Sequence, residues 1–404
     1  MTTTMTPRQI ELIKATVPVL REHGVALTTH FYKRMLSGNP ELRNVFNTAH
    51  QARGQQQKAL AMAVLAYAEN IENPAVLMPA VRHIAVKHCT IGIRAEHYAI
   101  VGRHLLASIK EVLGDAASDE LIDAWAAAYA ALADLLVSVE SGIYAEQTAT
   151  ENSWSGWRPF KVASRTDETP DVVSFDLVPA DGGSIPSYKP GQFISVRAYL
   201  KDRGIVQPRQ YTASRAWAPG RGLRISVKRV PGADGAEGAM SSHLHKYLKE
   251  GDVIDVSAPT GLFWLEDKET PVVLLSAGIG ITPMAAMLDY LAQTSSKRRV
   301  VFIHCSHDKD HVPLKRDIHE NMQKLVNGEA HIYLTVMPEG PACTCMKPGR
   351  LDAQKLAALG LDKNSDVYLC GPVGFMNDVQ GALASLGFAK EQIHSEVFGT
   401  GTMQ

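Results

Sequence analysis

The sequence predicts a multidomain protein that consists of an all-α domain, an antiparallel β-barrel domain and a doubly wound α/β domain. Three observations support this fold class. Apolar residues recur every three or four positions up to about residue 150, the period then falls to two, and after about residue 268 buried-strand runs alternate with helical stretches. The predicted domains cover residues 1–150, 151–267 and 268–404.

The first domain is predicted to be helical throughout. It contains segments such as RQIELIKATVPVLREHG and DELIDAWAAAYAALADLLVSVESGIYAEQ, in which alanine is abundant and glycine stands at apparent helix ends.

The second domain is predicted to be a barrel or sandwich of short antiparallel strands. From WSGWRPFKVASRTDETPDVVSFDL onward the turn signals PADGGS, YKPGQ and WAPGRG recur at close spacing. The third domain contains the buried-strand runs PVVLLSAGIG, RRVVFIHCSH, AHIYLTVM and DVYLCGPVGF, separated by helical stretches, which is typical of a parallel sheet.

Composition and charge exclude several classes of partner. Hydrophobic residues make up 45% and charged residues 21% of the chain, as in ordinary globular proteins. The net charge of −1 gives no electrostatic reason to expect nucleic acid or an anionic membrane as a partner. We expect no secretory signal, because the first residues, MTTTMTPRQIELIK, lack a charged start followed by an apolar run. We also expect no membrane span, because glycine and proline interrupt the apolar stretch PVVLLSAGIGITPMAAML.

The cysteines indicate a reducing compartment. Their number is odd, five, and they are scattered, which argues against a disulfide framework and for the cytoplasm. Cys343 and Cys345 are close together, but no further ligands stand at a matching spacing, so we interpret this pair as loop thiols rather than as a metal site.

Two glycine turns indicate a nucleotide site in the third domain. SAGIGITPM follows a strand and opens a helix, so Gly278 and Gly280 would let the backbone approach a pyrophosphate. A plain strand-to-helix turn is the alternative for so short a motif. CGPVGFM at residues 370–376 is a second such turn, and both should lie at the carboxyl ends of neighbouring strands.

The barrel contributes the segment RQYTASR. Arg209 can pair with a phosphate, Tyr211 can lie flat against a ring, and Thr212 can present a hydroxyl to a ring nitrogen. In GAMSSHLH, a turn that leads into a helix, Ser241 is the expected second phosphate contact.

Together, YKPGQF, RQYT, the GxxS segment, SAGIGITP, CGPVGF and EVFG resemble the ferredoxin-reductase family of FAD and NAD(P)H enzymes over roughly residues 155–404. The resemblance implies that Arg209 and Ser241 hold the flavin pyrophosphate and that Tyr211 packs on the isoalloxazine. Thr212 replaces the usual serine and keeps the hydroxyl. The matching cofactor-binding positions are Tyr188, Arg209, Gln210, Tyr211, Thr212 and Ser241 for FAD, and Gly278, Gly280, Ile281, Thr282, Pro283, Cys370, Gly371 and Pro372 for the coenzyme.

A flavin accepts two electrons from a nicotinamide and releases them singly, so a one-electron acceptor is expected. His88 lies in the apolar helical pattern AVKHCTIGIRAEHYAIVG and could be an axial haem ligand or a hydrogen-bonded core residue. His83, His97 and His104 compete for the same role, and spacing does not decide among them.

The segments HFYKRMLSGNPELRNVF, GQQQKAL, VKH, EHYAIVGRHLL and DAWAAAYAALADLL resemble a bacterial globin, and a globin ahead of such a reductase resembles a flavohaemoglobin. The resemblance implies that His88 is the proximal ligand of the haem iron. It also implies the roles of the remaining site residues: Glu140 accepts the imidazole N–H with Tyr98 nearby, Tyr32, Gln56 and Leu60 are distal, Phe46 wedges the haem, and Lys87 and Phe398 contact the flavin region.

The resemblance further implies a nitric oxide dioxygenase that uses haem b, FAD and NAD(P)H, takes dioxygen and nitric oxide as small-molecule partners, and needs no separate reductase. Two alternatives are a haem-based oxygen or redox sensor and a flavin-dependent reductase of ferric iron or quinones. The choice between NADH and NADPH stays open, and the loop around Cys343 and Cys345 and the tail TGTMQ match nothing in the family.

Overall fold

The structure of the chain is a computed structural model that describes residues 5–46, 54–230, 238–339 and 343–398. Its Cα positions group into two compact units. The first contains the residues up to Trp157 together with Arg197–Arg209, and the second contains Arg158–Val196 and the residues from Gln210 onward. Arg197–Arg209 therefore groups with the helical part of the chain, although this segment itself contains parts of two strands.

The first unit is built mainly from helices. These are α1 (Pro7–Ala15), α2 (Val17–Gly38), α3 (Gln55–Glu69), α4 (Met78–Ile91), α5 (Ala95–Leu113) and α6 (Asp119–Ala149).

Local side chains and glycine explain several helix ends. Thr6 and Gln9 form a capping box at the start of α1, and the Ser118 hydroxyl accepts the Leu121 N–H at the start of α6. At the end of α4, Gly92 adopts φ +81°, a left-handed conformation that glycine adopts without strain.

Two apolar clusters hold the helices together. The larger surrounds fully buried residues that include Ile13, Phe31 and Met35. The smaller contains Val81, Ala85 and Leu136 from α4 and α6. Leu77 and Leu132 pack against both clusters, so the two are continuous.

Among the described helices, α6 is the one that is long and apolar enough to cross a membrane, with a mean hydropathy of 1.5 in its most apolar window. It packs against α1, α4 and α5, and it carries the buried Glu140. These contacts join α6 to the other helices of the first unit, and 22% of the residues in that apolar window are buried.

The first sheet is antiparallel in its described pairings of β1 with β2 and β6, and of β2 with β5. Its order is β4-β3-β6-β1-β2-β5. A bridge between Ala213 and Ile225 joins the chain just after β4 to β5, so the two edges approach each other as in a barrel. The strands are β1 (Arg158–Thr169), β2 (Val172–Pro179), β3 (Phe193–Leu200), β4 (Ile205–Thr212), β5 (Leu223–Lys228) and β6 (Val253–Val256), and α7 (Ala239–Tyr247) precedes β6.

The second sheet has the order β10-β9-β8-β7-β11-β12 with parallel pairing throughout the described strands. Leu274 of β7 belongs to one apolar cluster and its neighbour Val273 to another, so helices cover both faces. The elements are β7 (Val272–Ala277), α8 (Ile281–Gln293), β8 (Val300–Ser306), α9 (Lys315–Lys324), β9 (Gly328–Leu334), β10 (Met346–Pro348), α10 (Ala353–Ala358), β11 (Asp366–Cys370), α11 (Val373–Ser385) and β12 (Ile393–Glu396).

The predicted fold class is confirmed: a helical part, an antiparallel sheet and a parallel doubly wound sheet follow one another along the chain. The predicted domain limits near residues 150 and 268 stay predictions. They fall between α6 and β1 and between β6 and β7, respectively.

Candidate functional site

His88 lies on the last turn of α4, and its ring is held by two side chains. Its Nδ1 is 2.8 Å from Oε1 of Glu140 on α6 and 3.1 Å from the hydroxyl of Tyr98 on α5. The Tyr98 hydroxyl donates to the same Glu140 oxygen at 2.5 Å. Glu140 is buried, with 4% of its side chain exposed, whereas 30% of the His88 side chain is exposed. The structure thus brings together the three predicted proximal residues.

These contacts select one tautomer of the neutral His88 ring. The Tyr98 proton points to Glu140, and burial together with that hydrogen bond raises the pKa of Tyr98 far above its usual value. His88 Nδ1 must therefore carry a proton, which it donates to the Glu140 carboxylate. This leaves Nε2 with its lone pair, which is the donor that a haem iron requires, so the residues present fit the predicted prosthetic group.

The competing histidines have other roles. Both ring nitrogens of His104 are engaged, Nδ1 with Arg34 at 2.8 Å and Nε2 with Asn39 at 3.0 Å. His97 accepts the Arg94 N–H at the start of α5. Burial, and secondarily the charge of Lys87, lowers the pKa of His83 to about 4. None of these three has the buried carboxylate partner that His88 has among the described residues.

The predicted distal residues lie on α2, α3 and the segment between them. Tyr32 is 7% exposed and packs edge-on against Phe46, with ring centroids 5.8 Å apart. Phe46 and Leu60 contact the same apolar cluster as Tyr32. Gln56 is half-buried on the first turn of α3, one turn before Leu60. Burial raises the pKa of Tyr32 well above its ordinary value, so its phenol stays protonated.

The other predicted flavin-side residues lie on two helices and in two loops. Lys87, half-buried, precedes His88 on α4, and Phe398, 43% exposed, follows β12. Tyr188 is buried and donates from its hydroxyl to the Arg215 carbonyl at 3.1 Å. The Ser241 hydroxyl donates to the Gly238 carbonyl and accepts the Val230 N–H, each at 3.2 Å. The Ser241 side chain thus stabilises the turn predicted to hold the pyrophosphate.

Strand β4 carries the remaining predicted flavin residues: Arg209, Gln210, Tyr211 and Thr212. The first three are half-buried and Thr212 is buried. The Arg209 guanidinium donates to the Pro208 carbonyl at 2.6 Å and to Gln207 Oε1 at 3.2 Å, and these contacts fix its direction.

Sequence reasoning missed Gln207, whose side chain is completely buried within the first unit. Its Nε2 donates to the carbonyls of Arg43 at 2.6 Å and Phe46 at 3.3 Å, while its Oε1 accepts from Arg209. One amide therefore links the segment with the predicted haem wedge to the arginine predicted to hold the flavin. No local pattern marks Gln207, since Arg43 and Phe46 lie 164 and 161 residues away.

The two glycine turns of the second unit meet as predicted. β7 and β11 are paired neighbours, so Gly278 and Gly371 follow adjacent strand ends. A Cβ on Gly280 would collide with the Cys370 carbonyl, so only glycine permits this close approach. Ile281, Thr282 and Pro283 form the first turn of α8, and Pro372 stands immediately before α11. The turns leave backbone at the amino ends of two helices, a geometry suited to a coenzyme pyrophosphate.

A second residue missed in the sequence is His304 of β8, which is 0% exposed. Its Nδ1 is 2.9 Å from the hydroxyl of Ser276, the first residue of the SAGIGITP motif. Its Nε2 has no hydrogen-bond partner within the described residues. Burial lowers the pKa of His304 to about 3, so the ring is neutral.

Three protein families match successive parts of the chain. Residues 29–136 match the Globin family, residues 159–264 the oxidoreductase FAD-binding domain, and residues 274–381 the oxidoreductase NAD-binding domain. These matches confirm the predicted cofactors: haem, FAD and a nicotinamide coenzyme.

Two solved structures are similar. A flavohaemoglobin from Malassezia yamatoensis, solved with bound FAD and haem, is 31% identical with a TM-score of 0.84, covering 98% of this chain and 99% of that one. The flavohaem-like FAD/NAD-binding domain of nitric oxide dioxygenase from Vibrio cholerae is 35% identical with a TM-score of 0.55, covering 60% of this chain and 98% of that one.

Similar relatives extend over nearly the whole chain. The flavohaemoprotein of Bordetella parapertussis is 50% identical over 401 residues, which are 98% of this chain and 99% of the relative. That of Rhizobium meliloti is 44% identical over 402 residues, 98% of each. With globin, FAD-binding and NAD-binding segments joined in one polypeptide, and with such relatives along its length, this chain belongs to the flavohaemoprotein family.

Proposed function

We propose that this flavohaemoprotein is an NAD(P)H-dependent nitric oxide dioxygenase, which combines nitric oxide and dioxygen into nitrate. Each nitric oxide then consumes one dioxygen and one electron. The observation that carries the proposal is the pairing of His88 with the buried carboxylate of Glu140. The name of the similar Vibrio cholerae protein supports the same activity.

When bound, the cofactors supply the redox chemistry, in which the nicotinamide gives a hydride, the flavin divides it into single electrons, and the haem iron takes these electrons and the gas ligand. Glu140 holds the proton of His88 at Nδ1 and makes the imidazole a more basic ligand through Nε2. Tyr98 orients the carboxylate by donating to the same oxygen. This arrangement suits oxygen chemistry, which requires electron donation to the iron, better than passive gas delivery.

Tyr32 provides a hydrogen-bond donor in an apolar environment. Its raised pKa keeps the hydroxyl protonated near neutral pH, and its neighbours Phe46 and Leu60 exclude water. A phenol in such surroundings holds a small, polarised diatomic molecule more strongly than it would in water. Nitric oxide and dioxygen are both small enough and apolar enough to enter this environment.

In the second unit, the backbone N–H groups of the paired glycine turns would hold the coenzyme. Phe398, which is 43% exposed, would lie against the flavin ring and would have to move for the nicotinamide to bind. We place the reaction in the cytoplasm, which is consistent with five free cysteines.

The test is nitric oxide consumption by the purified holoprotein in air, followed with a nitric oxide electrode and a nitrate assay. We expect nitrate in proportion to nitric oxide consumed, only when NADH or NADPH is present. A protein that oxidises NAD(P)H with ferric iron or quinones at full rate, but forms no nitrate, would be the flavin reductase instead.

A further inference from the structure

The loop before β10 holds two cysteines in a fixed turn. The Met346 N–H donates to the Cys343 carbonyl at 2.9 Å, and the Ile332 N–H of β9 donates to the Cys345 carbonyl at 2.8 Å. These bonds attach the turn to the sheet. Cys343 is exposed, and Cys345 is half-buried and packs, like Met346, against an apolar cluster of the second sheet. Cys343 is therefore open to solvent, whereas Cys345 is partly covered.

The Cys343 sulfur accepts a hydrogen bond from the backbone of Cys345. The Cys345 N–H lies 3.3 Å from Cys343 Sγ and donates to it. The Cys345 thiol and this N–H lower the pKa of Cys343, because both hydrogen bonds favour its thiolate. Burial, and then the neighbouring Cys343 sulfur, raises the pKa of Cys345 to about 11. The exposed member of the pair is thus the better nucleophile near neutral pH.

The other cysteines provide an internal contrast. Burial raises the pKa of Cys89 and of Cys305 to about 12, and that of Cys370 well above its ordinary value. Buried thiols of this kind are inert. Reactivity is expected at the pair and not elsewhere.

We propose that Cys343 and Cys345 form a reversible dithiol–disulfide site, in which Cys343 attacks low-molecular-mass disulfides and Cys345 resolves the product. The proposed exchange is chemically distinct from the dioxygenase reaction, since it needs no haem, flavin or nicotinamide.

The chemistry is a thiol–disulfide exchange. The Cys343 thiolate attacks one sulfur of a small disulfide such as oxidised glutathione, whose S–S bond breaks and releases one thiolate. Cys345 then loses its proton to solvent and attacks Cys343 Sγ, which expels the second thiolate. Two protein thiols are oxidised by two electrons, and one small disulfide is reduced to two thiols.

The bridge would be labile. A single residue separates the two cysteines, so the ring that the disulfide closes is small and strained, and strained, exposed disulfides are readily reduced. Its formation would also withdraw the Cys345 sulfur from the apolar cluster beside β10.

The test uses the full-length holoprotein with oxidised glutathione as the probe. Alkylation by iodoacetamide at pH 7, read by mass spectrometry, should modify Cys343 at least about tenfold faster than Cys305. After oxidised glutathione, the peptide with both cysteines should lose the mass of two hydrogen atoms and regain it with dithiothreitol.

Single variants separate the roles. Cys345→Ser should stop at a glutathione adduct on Cys343, Cys343→Ser should form neither adduct nor bridge, and Cys305→Ser should behave like the parent. Equal alkylation of Cys343 and Cys305, or the absence of an adduct in Cys345→Ser, would overturn the proposal. A parent protein that stops at the mixed disulfide would overturn the resolving role of Cys345. Nitrate formation is not a readout here, so this result is independent of the proposed function.

Discussion

Two histidines, one in the helical region and one in the α/β region, occupy similar sequence surroundings but different environments. His88 and His304 both stand in apolar runs. His88 is paired with a buried carboxylate and keeps 30% of its side chain exposed. His304 is fully buried, and its partner is the neutral hydroxyl of Ser276.

The difference shows that the hydrogen-bond partner and the solvent exposure of a histidine decide whether its ring can bind a ligand. A carboxylate at Nδ1 makes Nε2 of His88 basic, and the exposed edge lets a ligand reach it. His304 has neither a charged partner nor an open edge, so burial keeps it neutral. We expect His88 to bind the haem iron, and we expect His304 to stabilise the strand that precedes the SAGIGITP turn.

The largest expected effect is that of His88→Ala. Removal of the proposed axial ligand should abolish the Soret band, while FAD and NADH-dependent reduction of an artificial acceptor are retained. His83→Ala, five residues earlier on α4, is the matched control and should keep the band. Haem retained with an unaltered spectrum in His88→Ala would assign the ligand to another residue.

The next largest effect is that of Tyr32→Phe, which removes only the hydroxyl. Loss of a hydrogen bond to a polarised ligand should cost about 1.5–3 kcal/mol, or roughly one to two decades in the rate of dioxygen dissociation. Stopped-flow measurement of dioxygen release checks this, and electron transfer from NADH to an artificial acceptor should be unchanged. Release at the parental rate would make Tyr32 a packing residue and shift the distal role to Gln56.

Gln207→Leu tests whether the helical unit depends on distant polar partners. The substitution leaves the Arg43 and Phe46 carbonyls and the Arg209 guanidinium without this amide, which should destabilise the first unit by about 1–3 kcal/mol. Haem transfer to an apoglobin should be faster, because Phe46 is held less firmly. Gln207→Glu keeps an acceptor for Arg209 but cannot donate to the two carbonyls. It therefore measures the effect of losing those two hydrogen bonds alone. Parental haem retention in both variants would show that the amide does not hold the wedge.

His304 predicts a pH dependence of stability. Since its pKa falls to about 3 in the folded chain from 6.5 when exposed, the unfolded state takes up a proton first as the pH drops. The contribution of neutral His304 to the stability of the fold is complete above about pH 6.5. It should be lost towards pH 3, at about 1.4 kcal/mol per pH unit. In His304→Asn, the free energy of unfolding should depend less steeply on pH by that amount. Hydrogen exchange of the β8 amides measures this free energy. The exposed His307→Asn is the control, and identical slopes for His304→Asn and the parent would contradict the assignment.

The smallest effect is expected for Glu140→Gln, in which the amide oxygen can still accept the His88 N–H. Loss of the negative charge should weaken electron donation by the imidazole and lower the iron–histidine stretching frequency. Resonance Raman spectroscopy of the ferrous protein measures it, and nitrate formation should fall in parallel. An unchanged frequency would mean that the charge of Glu140 does not affect electron donation from His88 to the iron.

The sequence by itself determined the order of the three folds and the nucleotide turns. Helix and strand periodicity depend on neighbours three, four or two positions apart, and the glycine turns need only a few consecutive residues. The paired strands β7 and β11 brought those turns together as expected. The resemblance to flavohaemoglobins, not the residue spacing, selected His88 among four histidines.

Only the tertiary structure decided how the side chains are paired. Glu140 lies 52 residues from His88, and Gln207 lies 161 residues from Phe46, so no local period relates them. The tertiary fold also made His304 inert by complete burial, and it left Cys343 exposed and Cys345 half-buried. Protonation and reactivity follow from dielectric surroundings and hydrogen-bond partners, which exist only after distant segments pack.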